Sequence, residues 1–301
     1  MSNLMLDTSQ VPDGGEIGPV NSGWRLALRE FASNKLAVAG VVIVVFFVLF
    51  SFIGPFFYHG DYLAANLNSA SSPPGAGHPV GTDTEGLDVL AELMKGGQAS
   101  LEIGFLSALI AIVVGALVGA ISGLSGGLLD SALMRVVDVL LSVPFLFIVL
   151  IVAVKYGATV LSLSVILGIF TWLVPARLVR GEVLTLKVRE FVQAARCAGS
   201  GRLRLINRHL LPNALSVIIV NITFNIADAI LAVSYLGFLG FGLHYPNLDW
   251  GDMVSNGTDY MLDGYWWMIY PVGFCIVATV MACNFIGDAL RDALDVRLRR
   301  R

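Results

Sequence analysis

Over 301 residues the chain is 56% hydrophobic and only 14% charged, with a mean hydropathy of +0.78. So few charges cannot cover the surface of a soluble globule of this length, which excludes an ordinary water-soluble protein and makes a bilayer the expected solvent. The formal net charge of −3 conceals a strong segregation of charge along the chain.

The first 33 residues are polar and carry Gly and Pro; they predict a mobile tail with no cleavable signal. A hydrocarbon core of about 30 Å needs roughly 20 apolar residues per helical crossing. The first such run is Leu36 to Gly60. Residues 58–100 follow, and "SSPPGAGHPVGTDTEGLD" reads as an ordered loop. Leu87 to Leu101 then predicts a short amphipathic helix lying at the membrane interface.

The second apolar run is Ile103 to Leu129, and "GLSGG" at Gly123 to Gly127 predicts a tight turn at its end. Further runs are Val139 to Val154, Tyr156 to Ala176, Ala214 to Gly242 (broken by Asp228), and Gly264 to Gly287. Core helices of a soluble protein would be shorter and more amphipathic than these. The fold class expected is therefore an all-α membrane protein with six transmembrane helices. Its membrane domain spans 34–290, interrupted by loops at 58–100, 177–213 and 243–266, and is followed by a basic tail at 291–301.

Lys and Arg collect on the cytoplasmic side of short loops. With the N-terminus inside, all of the 19 basic residues except Lys95 and Lys155 fall on that side, including eight between Arg177 and Arg208. The opposite loops carry Asp61, Asp83, Glu85, Asp88, Glu92, Asp249, Asp252, Asp259 and Asp263. An even number of spans, with both termini cytoplasmic, fits this division.

Several chemistries can be weighed against this frame. Cys197, Cys275 and Cys283 form no CxxC pair, and the last two lie about 12 Å apart along one helix, so neither a disulfide nor a metal site is expected. "GLSG" around Ser125 matches the nucleophile pattern of intramembrane serine proteases, but a serine nucleophile needs a base, and His59, His78, His209 and His244 all fall outside the spans. An ionisable group inside a span is costly and suggests function. Asp228, with Asn221 and Asn225 on a similar face, is the candidate translocation path; an ion-coupled secondary transporter using Asp228 is the alternative reading. Asp138 is expected to form an ion pair with Arg135, three residues earlier. The basic stretch lacks the aromatic interleaving of single-strand binders, so nucleic acid is not an expected partner, and "RLRRR" suits anionic membrane lipid. None of the four lysines follows a glycine, so the chain has no P-loop of its own.

"REFVQAARCAGSGRLRLINRHLLPNA", Arg189 to Ala214, predicts two short helices outside the membrane, broken at Gly199 to Gly201 and ended by Pro212. Leu203, Ile206 and Leu210 share one face that something must cover. The segment resembles the EAA signature of ABC-importer permeases: Gln193, Ala194 and Ala195, Gly199 after three residues, His209 after nine more, then Leu211 and Pro212. Gln193 replaces the consensus Glu. His209 replaces Ile, as is usual in the peptide branch.

Three further segments extend the resemblance in the correct order. "GTDTEGLDVLAELMKGGQASLEIG" has Leu87 where Arg is usual, "SYLGFLGFGLHYPNLDWGDM" is the second, and "NFIGDALRDALDVRLR" has Val296 for Pro. Together they are similar to the second permease subunit of dipeptide, oligopeptide and nickel importers. The resemblance implies a type I importer permease fold and makes the helix pair a coupling helix. It also implies a homologous second permease, two ATPase subunits that bind ATP and Mg, and a substrate-binding protein, for which Trp250 and Asp252 are the candidate docking residues. Trp266 and Trp267 read more simply as an interfacial belt holding the last span.

Overall fold

The computed structural model describes residues 23–299, which form helices and loops with no strand. α1 (Gly23–Ser33) meets α2 (Lys35–Phe52) at Asn34, whose side chain accepts hydrogen bonds from the Leu36 and Ala37 amides at 3.0 and 3.3 Å and caps α2. The short α3 (Gly54–Phe57) leads into the loop 58–88. Residues 23–33 are thus helical rather than a free tail, because Phe31 packs with Val220, Ala293 and Leu294. Residues 1–22 of the expected tail lie outside the described residues.

α4 (Val89–Ser125) is one unbroken helix of 37 residues, about 55 Å long at ~1.5 Å per residue. The separate interfacial helix expected at 87–101 is therefore its first turns. Gly96 and Gly97 do not break it, because the chain closes over them: a Cβ on Gly96 would come within 3.3 Å of both Leu248 and Trp250. The turn at Gly126 and Gly127, both at φ near +60°, reverses the chain into α5 (Gly127–Ser142).

α5 and α6 (Phe145–Tyr156) are bent by 84°, and α7 (Val160–Thr171) and α8 (Leu173–Leu186) by 43°. The prolines explain both. Pro144 forces Val143 into an extended conformation, and Pro175 can donate no hydrogen bond to the carbonyl of Thr171. The third span, expected to be a plain crossing at Val139–Val154, is instead sharply broken at Val143–Pro144.

α9 (Glu190–Cys197), α10 (Arg202–Leu205), a π-helical turn (Ile206–Leu210) and α11 (Leu211–Asn213) form the basic segment. α12 (Leu215–Phe238), α13 (Trp250–Thr258) and α14 (Tyr270–Arg299) complete the chain. The basic tail expected from 291 is no separate element: α14 continues through it, with Ala293 and Leu294 buried. α2, α4, α12 and α14 are each long and apolar enough to cross a bilayer, and the two bent pairs raise the number to six if each counts as one span.

α4 is the centre of the bundle. Gly115 and Gly123 on α4 let α8 approach closely, since a Cβ at either would meet Pro175 at 2.7 Å or Val183 at 2.8 Å. The bundle has an acidic end, made of loop 58–88 and residues 239–269, and a basic end, made of the α4–α5 turn, residues 187–214 and the last turns of α14.

Candidate coupling surface and polar cleft

At the basic end, α9 stops because Gly199 takes φ +78°; its amide donates to Arg196 O and the Ser200 amide to Ala195 O, at 2.9 and 3.0 Å. This pair of bonds is a Schellman termination, which only a residue comfortable in the left-handed region can complete. No atom lies within 4 Å of where a Gly199 Cβ would sit, so backbone conformation and not crowding selects the glycine. The next helical stretch widens at Ile206–Leu210, where the Leu211 amide donates to Ile206 O. Pro212 has no N–H for the Arg208 carbonyl, and Asn213 Nδ2 donates instead to His209 O at 2.6 Å. The second helix accordingly runs past Pro212 to Asn213.

The two faces of this helix pair differ. Val192, Leu205, Ile206 and Leu210 are buried against Ala116, Ala120, Val179 and Val183 of α4 and α8. At about 1.5–3 kcal/mol for each large side chain, this anchors the pair firmly. Leu203, expected to share that face, is instead 72% exposed. Leu205 is buried in its place. Gln193, Ala194, Gly199 and Pro212 are exposed, and Ala195, His209 and Leu211 are half-buried. Gln193 is tied back by Nε2 donating to Lys187 O at 3.1 Å. The exposed surface thus carries Phe191 and Leu203 among Arg189, Arg196, Arg202, Arg204 and Arg208.

Behind it lies a brace that sequence reading missed. Arg180 Nε and Nη2 donate to the two carboxylate oxygens of Asp130 at 2.6 and 2.7 Å, and Ser122 Oγ donates to the same carboxylate. Lys187 Nζ donates to Gly123 O at 3.0 Å. The chain entering the basic segment is thereby clamped to the α4–α5 turn by a bidentate ion pair. The partners lie 50 residues apart, beyond any local pattern. Likewise Asp138 pairs with Arg177 and not with Arg135.

In the middle of the bundle, the break in α5–α6 opens a cleft of about 430 Å³. Its polar lining is Ser142, Thr171, Asn221, Asn225 and Asp228. The three α12 residues fall on one face, as spacings of four and three dictate. Asn221 and Asn225 are only 9% exposed, whereas Asp228 is exposed. Asp228 lies about 20 Å from the start of α12 and about 15 Å from its end, at mid-helix. A carboxylate exposed at that depth is incompatible with lipid and requires a watery or protein-covered face.

The acidic end is held differently. Trp250 is fully buried, donates Nε1–H to Leu93 O at 3.0 Å and meets Phe47 edge-on at 5.9 Å. It cannot serve as a docking residue, because it is part of the core. Asp249, also fully buried, caps α13 by accepting from the Gly251 and Asp252 amides at 2.8 and 3.1 Å, and accepts from the Leu243 amide at 3.0 Å. Burial pushes its carboxyl up to about 6, against the pull of those three N–H groups.

Asp88 is likewise buried; it accepts from Tyr58 Oη at 2.7 Å and from the Ala91 amide at 3.0 Å, and lies 2.7 Å from His78 Nδ1. Trp267 is no interfacial belt residue: it is buried and donates to Thr82 O at 3.0 Å, pinning loop 58–88, while Trp266 is half exposed. Asp252 is half-buried and lines a cleft of about 280 Å³ with Asp83, Glu85, Glu92 and Asp259. Burial raises its carboxyl above the usual range.

An all-helical bundle with two broken spans and a protruding helix pair at its basic end is the architecture of a type I ABC-importer permease. It matches a chain of the MetNI methionine ABC transporter in inward-facing conformations with a TM-score of 0.54 at 21% identity, over 67% of this chain and 96% of that one. Residues 90–300 match the family described as binding-protein-dependent transport system inner membrane component. Residues 22–74 match the N-terminal TM domain of oligopeptide transport permease C. The chain is 39% identical to the dipeptide transport system permease protein DppC of Bacillus subtilis, over 91% of this chain and 86% of that one. It is 39% identical to the oligopeptide transport system permease protein OppC of Escherichia coli strain K12, over 92% of each. The chain belongs to the binding-protein-dependent permease family and is a multi-pass inner-membrane subunit of a bacterial ABC importer. The protease and ion-coupled readings fall with that assignment.

Proposed function

We propose that this subunit moves di- or oligopeptides by alternating access, driven by separate ATPase subunits through α9–α11. One observation carries the reading. The helix pair keeps its apolar anchor inside the chain's own core and leaves Phe191, Leu203 and five arginines exposed, a surface made for an acidic partner with an apolar groove. Gln193, Ala194, Ala195, Gly199, His209, Leu211 and Pro212 form its frame. The basic end is cytoplasmic in this reading, and Asn221, Asn225 and Asp228 line this subunit's half of the path. ATP and Mg belong to the two ATPase partners, a homologous permease supplies the other half of the path, and a substrate-binding protein meets the acidic end around Asp252. The relatives named for dipeptide and oligopeptide transport support the substrate class.

Cys197 tests the interface without mutation, because it is exposed at the end of α9 while Cys275 and Cys283 are buried. Thiol labelling of Cys197 in the assembled complex should slow at least tenfold relative to the isolated chain. Equal rates would contradict docking at α9.

A further inference from the structure

The polar groups of the mid-membrane cleft share a property beyond their position. Ser142 Oγ donates its one proton to Val139 O at 2.6 Å, and Thr171 Oγ1 donates to Leu167 O at 2.8 Å. Asn221 Nδ2 donates to Val217 O and Asn225 Nδ2 to Asn221 O, both at 2.8 Å. Only the amide nitrogen can bond a carbonyl, so each asparagine is fixed with its oxygen turned away from its own helix. Each hydroxyl has spent its donor and keeps lone pairs. Asp228 has no hydrogen-bond donor or basic partner among the described residues and brings the cleft's one formal charge. Neither Lys, Arg nor His lines it.

A lining biased toward acceptors with one carboxylate rejects anions and fits a compact cation that carries several N–H donors. We infer that this cleft receives the protonated amino group of the transported peptide, with Asp228 as its counter-charge and Asn221 and Asn225 as acceptors on the same helix face. A soft divalent metal ion is a poor alternative, because no His or Cys is present to ligate it. The size agrees, since about 430 Å³ holds one or two residues of a peptide but not a long segment, within the usual range of ligand pockets. Asp228 thereby becomes a specificity-determining residue that distinguishes free from blocked amino termini.

This inference rests on the peptide-importer reading, and two measurements separate their failures. The labelling measurement uses the complete transporter with Cys197→Ser and a probe thiol at Val174→Cys, which lines the same cleft; the uptake measurement uses the complete transporter without either substitution. In detergent, the ratio of labelling rates by a cationic and an anionic methanethiosulfonate should fall about tenfold when Asp228→Asn is added, and Asp228→Glu should restore it. An unchanged ratio would overturn the inference, since the carboxylate would then be neutralised or turned away.

In proteoliposomes with one binding protein, uptake of a free-amine peptide and of its N-acetyl form is compared between transporters with and without Asp228→Asn, so that the binding protein's own preference cancels. The expected result is a loss of at least tenfold for the free amine and less than twofold for the acetylated peptide. Equal losses would reduce Asp228 to a structural role and overturn amine recognition. If the transporter that keeps Asp228 moved no peptide while the labelling ratio still fell, the peptide reading itself would be wrong, and the amine assignment with it.

Discussion

The two ends of this permease are built on opposite plans. At the acidic end, Trp250, Asp249, Asp88 and Trp267 turn inward and spend their polar atoms within the chain, on the backbone of α4, of α13 and of the loops between helices, so the loops are fixed by the chain itself. At the basic end, only one face of a short helix pair is anchored, and the arginines and Leu203 remain exposed. A surface that completes itself is structural; one braced from behind and left unpaired in front is suited to receiving force from another subunit.

The strongest way to break this contrast is to remove its acidic-end anchor. Trp250→Ala should cost about 3–5 kcal/mol, seen as loss of the monodisperse peak in detergent chromatography; a well-folded variant would mean that the acidic end does not depend on its core. Next in size, Gly199→Val places a β-branched residue at φ +78°, at a local cost of about 1–2 kcal/mol. Uptake should be abolished while membrane insertion stays intact, and unchanged uptake would deny the helix pair a coupling role.

A double-mutant cycle on Asp130→Ala and Arg180→Ala should return a coupling of about 1.5–3 kcal/mol in thermal or denaturant stability. A value near zero would show the brace to be ornamental. A pH-dependent effect concerns Asp249. Its folded carboxyl titrates near 6, above the ordinary carboxyl value of 3.8, so the native state holds the proton more tightly than the unfolded chain. Its contribution is full below about pH 4 and is lost as pH rises through about 6. A decline of Tm across that window should flatten in Asp249→Asn; a rise of Tm there would reverse the sign and contradict the burial argument.

Much of the fold was legible because bilayer thickness and charge asymmetry act on long stretches of sequence. The six apolar runs and the EAA spacing needed only local pattern. What the sequence hid depended on distance in the chain. Leu87–Leu101 read as a separate amphipathic helix because its polar residues resemble an interface, yet packing of Gly96 on Leu248 and Trp250 extends α4 through it.

Trp250 beside acidic residues looked like a docking anchor, whereas its indole lies under Leu93, 157 residues away. Arg135 was the nearer partner for Asp138 in sequence, but Arg177 on α8, 39 residues away, pairs with it. The Asn221, Asn225 and Asp228 face could be drawn from helical spacing alone; the cleft it lines needed the break at Pro144, whose angle no local rule supplies.

The central claim is that the exposed face of α9–α11 is where ATPase subunits take hold. The most direct test is to purify the tagged chain in mild detergent, with Leu203→Glu and Arg204→Glu together as the comparison, and quantify what accompanies it by mass spectrometry. The account predicts two P-loop ATPase subunits and a second permease per complex for the unmodified chain. The doubly substituted chain should retain the second permease and lose at least 90% of the ATPases. Full retention of the ATPases by that variant, or their absence from the unmodified complex while transport persists, would contradict it.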